Sequence, residues 1–245
     1  MLKREYEVMY DQEEKHWWYV GKRNLILSLF KRQYKGRADL KILDVGCGTG
    51  IIMKSLSKFG EVYGVDVSPE AIKFCRRRGL KNVKKGSIDN LGFKKETFDA
   101  VGCFDVLYHK AIRDDEAALK QLYGICKKGG HLFITDSAMK CLWSQHDIAT
   151  QARTRYSKEE MKAKLERVGF TVEKISYYNT FLFPAVFLYR KIFDRIREGK
   201  EAKSDIGNTN PIINEILKRL LFLEARLLKR INFPVGVSIV CVARK

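Results

Sequence analysis

The spacing of apolar and polar positions along this chain switches between two periods, and the switches mark its elements. From Tyr6 to Tyr34 the pattern is helical. A short apolar run, Lys41-Ile42-Leu43-Asp44-Val45, follows and reads as a buried strand leading into Gly46-Cys47-Gly48-Thr49-Gly50. Ile51 to Phe59 is helix-compatible again, and Glu61 to Ser68 is a second apolar run that ends in an acid. Ser68-Pro69-Glu70 predicts a capped helix start with Pro in its first turn. Ser157 starts a later helix that Gly169 stops, and Thr171 to Tyr178 and Val235 to Ala243 read as the last two strands. Strands and helices alternate from Leu40 to Phe170, which predicts an α/β fold with a parallel sheet and helices on both faces.

The last two strands are separated by Asn179 to Pro234, roughly fifty residues where a hairpin needs only a few. Phe181 to Tyr189 is strongly apolar. Ile212 to Ile231 reads as an amphipathic helix, with Ile213, Ile216, Leu217, Leu220, Leu227, Leu228 and Ile231 on one side. Lys218, Arg219, Arg226, Lys229 and Arg230 fall on the other, and the polar stretch Gly199 to Asn210 is expected to be a mobile loop. Two readings fit this insertion: a cap or homodimer face, or a helix pair lying on anionic lipid.

The glycine stretch carries the chemistry. Gly46, Gly48 and Gly50 alternate, so the backbone turns tightly and a ligand can lie against it. Asp44 puts a carboxylate where a phosphate-binding loop would avoid one, which suits a ligand with a positively charged amino-acid end. Asp66 lies about 20 residues beyond the first glycine, where a doubly wound sheet places an acid for ribose hydroxyls. A dinucleotide fingerprint needs a third glycine where this chain has Ile51.

With these residues in view, the sequence resembles the class I S-adenosylmethionine-dependent methyltransferases, in particular the small-molecule branch of ubiquinone-type and sugar methyltransferases. Asp44 to Gly50 matches that family's first motif, including Cys47, and Asp66 its ribose-binding acid, followed by Val67. Lys85 to Phe93 is similar to the segment that borders the adenine, through Ser87, Ile88 and Asp89. Ser87 stands where the family has Asp and Gly92 where it has Pro. Phe98 to His109, including Phe104, resembles the fourth strand and the loop after it. Leu119 to Gly130, then Leu132 to Thr135, resembles a helix end and fifth strand, with Lys128 in place of Pro. The resemblance implies a seven-stranded, mostly parallel Rossmann-like sheet whose seventh strand pairs antiparallel with the sixth. It also implies one methyltransferase domain over 1–245: an N-terminal helical lid (1–38), a core (39–179), a helical insertion (180–234) and a last strand (235–245). The cofactor it implies is S-adenosylmethionine, leaving as S-adenosylhomocysteine.

His16-Trp17-Trp18-Tyr19 must pack on something, because paired tryptophans are costly to expose. It either covers the sheet edge or forms a lid over the cofactor. The H-W-W-x-x-x-x-R pattern resembles related methyltransferases and makes Arg23 a partner for the methionine carboxylate, with Tyr10 directed to the same pocket. His109, after the fourth strand, is the candidate base if the acceptor needs one, and otherwise shapes the pocket. His146 is the alternative base, oriented by Asp147 or held in a simple turn. Arg153, Arg155 and Tyr156 either hold an acidic acceptor or form a solvated basic face.

Composition limits the remaining choices. At 245 residues and 45% hydrophobic, one α/β domain fits and two do not. Six scattered cysteines with no metal-ligand spacing predict neither a disulfide framework nor a metal site. Met1 to Lys15, charged and lacking an apolar core, predicts no signal peptide, so the expected location is the cytoplasm, with peripheral membrane contact possible. The net charge of +18 fits either a lysine-rich surface that keeps the chain soluble or an acidic partner such as anionic lipid, a phosphorylated substrate or nucleic acid, and no nucleic-acid motif is present. The expected activity is methyl transfer to an oxygen or nitrogen of a small-molecule, glycan or prenyl-linked acceptor. RNA modification, or a cofactor-binding subunit without activity, are the alternatives.

Overall fold

The computed structural model describes residues 3–196 and 209–245. Its strands are β1 Leu40–Val45, β2 Gly60–Asp66, β3 Val83–Lys85, β4 Phe98–Phe104, β5 Cys126–Ser137, β6 Thr171–Tyr178 and β7 Ser238–Arg244. They form a seven-stranded sheet in the order β3-β2-β1-β4-β5-β7-β6. The first five run parallel, while β7 lies antiparallel to both β5 and β6. The expected pairing of β7 with β6 is present, and β7 is also wedged between β6 and β5. The described helices are α1 Lys3–Gln12, α2 Trp17–Gln33, α3 Ile51–Leu56, α4 Pro69–Arg77, α5 Asp115–Ile125, α6 Gln145–Ala149, α7 Lys158–Val168, α8 Phe183–Ile196 and α9 Pro211–Leu227.

Alternation along each strand supplies two cores. Leu43, Val45, Val101, Cys103, Leu132 and Ile134 bury one face against Leu119 and Leu122 of α5 and Met161 and Leu165 of α7. Ile42, Ala100, Phe133, Val240 and Val242 bury the other against Leu25, Ile26, Leu29 and Phe30 of α2 and Ala225 of α9. Phe30 stacks on Phe133 with ring centroids 4.0 Å apart, which fixes α2 across the sheet.

Three expectations change on folding. The N-terminal helical stretch breaks at residues 13–16, where the His16 side chain caps α2 by accepting the Trp18 N–H at 3.3 Å. The helix expected to run to Gly130 stops at Ile125, because Cys126 pairs with Phe98 and opens β5. Lys127 to Gly130 then belong to the sheet, tied to the last residue by Gly129 N–H to Lys245 O (2.9 Å) and Lys245 N–H to Gly130 O (3.0 Å). On α9 the buried side is Leu221, Glu224 and Ala225, continued by Leu228 just beyond the helix. Ile213, Ile216, Leu227 and Ile231, expected to share one side with Leu228, are exposed where Leu228 is buried. Of the stretch Gly199 to Asn210, residues 199–208 lie outside the described residues; Asn210 caps α9 by accepting the Ile212 N–H.

The α2–α9 crossing explains which side of α9 is buried. A Cβ on Gly21 would lie 2.3 Å from Leu221 Cδ1 and 2.8 Å from its Cβ, so only glycine lets the helices approach this closely. Alanine gains about 1 kcal/mol of helix propensity but overpacks the crossing by about 1–3 kcal/mol. Gly21→Ala is therefore expected to be mildly destabilising and Gly21→Leu strongly so in urea unfolding. An alanine variant more stable than wild type would show the crossing to be loose.

Candidate cofactor and acceptor site

The turn after β1 sits at the carboxyl ends of the parallel strands. Gly46, Gly48 and Gly50 have φ of +74°, +53° and +85°, and a Cβ on Gly46 would lie 2.3 Å from Val106 Cγ2. The Gly46 and Cys47 N–H groups both donate to Val65 O, at 2.8 and 3.1 Å. Asp44 stands in register with Gly64 on β2 and Gly102 on β4, so no Cβ crowds its carboxylate from either neighbouring strand. Cys47 and Met53 cover Gly64, and the Phe104 ring covers Gly102. In this cradle Asp44 is fully buried and neither carboxylate oxygen has a hydrogen-bond partner. Burial, reinforced by the charge of Asp66, pushes its pKa up to about 8, and the Lys22 ammonium pulls the other way.

Asp66 accepts the Gly48 N–H at 3.0 Å and the Ser68 N–H at 2.9 Å, and burial raises its pKa despite these bonds. Val67, the next residue, leaves its side chain 58% exposed, whereas Ile88 is buried. Ser87 and Asp89 are bonded to each other: the Ser87 hydroxyl donates to Asp89 Oδ2 at 3.0 Å and accepts the Asp89 N–H at 3.2 Å. An ammonium would satisfy the orphaned Asp44 carboxylate, and the exposed Val67 offers an apolar surface to a base. The residues present therefore fit S-adenosylmethionine: Asp44 for the amino group, Gly46 to Gly50 for the backbone cradle, Asp66 for the ribose, and Val67, Ser87, Ile88 and Asp89 around the adenine.

The N-terminal elements both cover the sheet and close over this loop. A Cβ on Gly48 would meet the Met9 methyl at 3.0 Å. The buried Glu13 accepts the Thr49 hydroxyl and pairs with Arg78, whose Nε donates to Thr49 O at 2.9 Å. Tyr10 lies on Phe74 (4.9 Å) and under the Arg78 guanidinium (4.2 Å), and Arg23 Nη1 donates to Glu13 O at 2.8 Å. Tyr10 and Arg23 thus fasten the lid. Lys22, one residue earlier, enters the site: it pairs with Asp105 at the end of β4 and acts electrostatically on Asp44. Sequence reasoning missed Lys22, Glu13 and Asp105. The helical period held a signal for Lys22, which lies four residues after Trp18 and so on its face.

Across the site, Trp18 stacks flat on the buried Tyr178 at 5.7 Å. Asp105 takes φ +58° and accepts the Thr135 hydroxyl at 3.1 Å. His109 lies in the loop after β4, and that loop is bonded to the segment after α6 through Lys110 N–H to Gln151 O (2.9 Å) and Arg153 N–H to Tyr108 O (2.7 Å). The loop bearing His109 is thereby joined to the segment that follows α6, the helix of His146. His109 Nδ1 accepts the Ala111 N–H at 3.1 Å, which assigns the remaining proton of the neutral ring to Nε2, and burial lowers its pKa. Asp147 pairs with Arg155 (Nε to Oδ1, 2.8 Å). Of the solvated basic face expected around residues 153–156, Arg153 is exposed, whereas Arg155 and Tyr156 are 2% and 1% exposed; Arg153 and Tyr156 both reach Asp115. The low-dielectric interior accepts Arg155 and Tyr156 because each is paired. Among the described residues, no group of three or more His, Cys, Asp or Glu is placed to hold a metal ion, and no helix is long and apolar enough to cross a membrane.

Comparison with known proteins agrees with this geometry. The methyltransferase-domain family matches residues 43–134. The chain is 32% identical over 105 residues to a ubiquinone biosynthesis O-methyltransferase of Xanthomonas oryzae pv. oryzae, covering 40% of this chain and 43% of that protein. It is 32% identical over 148 residues to an uncharacterized methyltransferase of Schizosaccharomyces pombe, covering 52% of each. The chain thus spans 43% and 52% of the length of these two curated relatives. In three dimensions it is similar to a SAM-dependent methyltransferase from Archaeoglobus fulgidus, with a TM-score of 0.58 and 22% identity over 91% of this chain and 94% of that one. The chain thus has the seven-stranded α/β fold of these methyltransferase structures, and its residues 43–134 match the methyltransferase-domain family.

Proposed function

We propose that this protein transfers a methyl group from S-adenosylmethionine to an oxygen or nitrogen of a small-molecule acceptor. The observation that carries the cofactor reading is the Asp44 carboxylate, sealed beside the glycine loop with no partner of its own. The partial relatives named for ubiquinone biosynthesis favour a small, prenyl-linked acceptor, and sugar acceptors remain in the same chemical class.

When bound, S-adenosylmethionine supplies an electrophilic methyl carbon on a cationic sulfur. The chain's own residues must hold donor and acceptor in line and keep water out, since alignment is the main requirement of such a displacement. Asp44 holds the amino group and Asp66 the ribose. Lys22, anchored by Asp105, offers its ammonium to the methionine carboxylate in place of Arg23. Trp18 stacked on Tyr178 forms an apolar wall on the acceptor side.

His109 offers an Nε2 proton in the tautomer its Nδ1 bond selects, so its role here is to donate a hydrogen bond that positions the acceptor. General-base catalysis contributes about 10²–10⁴-fold. His109→Gln, which keeps an N–H donor, is expected to retain kcat within about tenfold. A loss beyond a hundredfold, rescued at high pH, would instead mark His109 as the base.

Two measurements test the proposal. Calorimetry with S-adenosylhomocysteine reads cofactor binding, and isotope-labelled methyl donor supplied to a metabolite extract reads transfer. Absence of binding overturns the cofactor reading. Binding without transfer to any acceptor leaves a cofactor-binding subunit, and label appearing in RNA moves the acceptor to nucleic acid.

A further inference from the structure

The helix α9 carries apolar residues on two sides, and among the described residues only one of them is covered. Leu221 and Ala225 are buried, and Leu221 packs against Gly21 of α2. On the outer side, Ile212, Ile216, Leu223 and Leu227 recur at helical spacing and are 72%, 59%, 49% and 37% exposed. Arg219, Arg226 and Arg230, expected on the side opposite the aliphatic positions, are instead exposed along this same side. The acids of this segment do not offset them. Glu224 is buried and turned inward, accepting the Thr180 and Phe181 N–H groups, and Glu215 is shared by Lys218 and Arg219. The neighbouring α8 exposes Leu188 and Ile192 in the same way. An aliphatic stripe edged by guanidinium groups is the pattern that sinks into the boundary of a bilayer, with the charges at the level of lipid phosphates.

We infer that the outer side of α9 docks on an anionic lipid surface. Charge complementarity selects this occupant. A second copy of the chain, itself carrying a net charge of +18, would bring like-charged arginine rows together, whereas anionic headgroups neutralise them. The docked helix is also wired to the lid. The Asn214 side chain accepts the Trp17 N–H at 2.8 Å and donates to Lys15 O at 3.0 Å, and the Thr209 hydroxyl meets His16 Nε2 at 3.2 Å. Contact with lipid therefore bears on the segment that closes the cofactor site, and the arrangement suits an amphiphilic acceptor presented from the bilayer surface.

Flotation of the full chain on a density gradient tests this without reference to turnover, using phosphatidylcholine vesicles with or without phosphatidylglycerol. The chain is expected to float with the anionic vesicles, to stay behind with the neutral ones, and to be released by high salt. Ile216→Ser/Leu223→Ser/Leu227→Ser should abolish flotation. Arg219→Gln/Arg226→Gln/Arg230→Gln, which leaves the apolar stripe intact, should weaken it on the order of a hundredfold. S-adenosylhomocysteine binding should be unchanged in both variants, which establishes that they are folded. Wild-type chain that ignores anionic vesicles overturns the inference, as does flotation of both variants at wild-type strength. A concentration-dependent dimer that the serine variant dissolves, with no lipid binding, assigns the stripe to a second copy and overturns it equally.

Discussion

Asp44→Asn is expected to weaken S-adenosylmethionine binding by about a hundredfold or more while making the protein without cofactor more stable above pH 8. Both effects have the same origin. In the folded chain burial pushes the Asp44 carboxyl up to about 8, far above the ordinary carboxylate range. The native state thus holds this proton more tightly than the unfolded chain. Its contribution to stability is complete below about pH 4 and is lost as pH rises through 8, a difference of roughly 6 kcal/mol. Asparagine removes that loss, so the stability curve of the variant should stay flat where the wild type declines. Binding carries the opposite sign. An ammonium pairs with the ionised carboxylate, so at pH 7 the wild type should release close to one proton as the cofactor enters. Its affinity should climb by up to about tenfold per pH unit between 6 and 8, and turn over as the α-amino group loses its own proton near pH 8. Calorimetry in buffers of different ionisation heat counts that proton directly. Wild-type affinity in the asparagine variant would mean that the glycine loop holds its ligand without the acid.

The parts of this site that sequence reveals are those fixed by local chain geometry. Strand, glycine turn and acid follow one another between Asp44 and Asp66, so spacing alone places them together. Lys22 and Arg23 are different: they are adjacent in sequence but about 100° apart around a helix. Which one faces the loop is decided by Trp18 stacking on Tyr178, a residue more than a hundred positions away in sequence. The same holds for α9, where two aliphatic stripes satisfy the helical period and Gly21 on α2 selects the buried one. Charge was the least informative guide. Arg155 reads as a surface cation, yet its partner Asp147 and the carbonyl of Ala138, which its Nη1 meets at 2.8 Å, draw it into the interior.

That interior pair underlies the largest stability effect expected outside the cofactor site: Asp147→Ala should cost about 3–5 kcal/mol. Asp147 is 1% exposed, and its carboxylate serves three groups. Oδ1 takes Arg155 Nε at 2.8 Å, Oδ2 takes the Ser144 N–H at 2.9 Å, and Arg190 Nη1 of α8 stands 3.7 Å away. Removing it leaves the buried Arg155 guanidinium beside Arg190 without the Asp147 counter-charge and uncaps α6, which carries His146. Burial already lowers the pKa of Arg155, so the charge is held in place largely by Asp147. Asp147→Asn keeps an acceptor for Ser144 and should cost less. Asp147→Ala combined with Arg155→Met should recover part of the loss, since one orphaned charge goes with it. Urea unfolding measures the series, and hydrogen exchange should show the weakening spread from α6 into α8, because Arg190 bridges them through Leu142 O at 2.8 Å. An alanine variant within about 1 kcal/mol of wild type would mean that water reaches this pair and that the acceptor-side loop is held by other contacts.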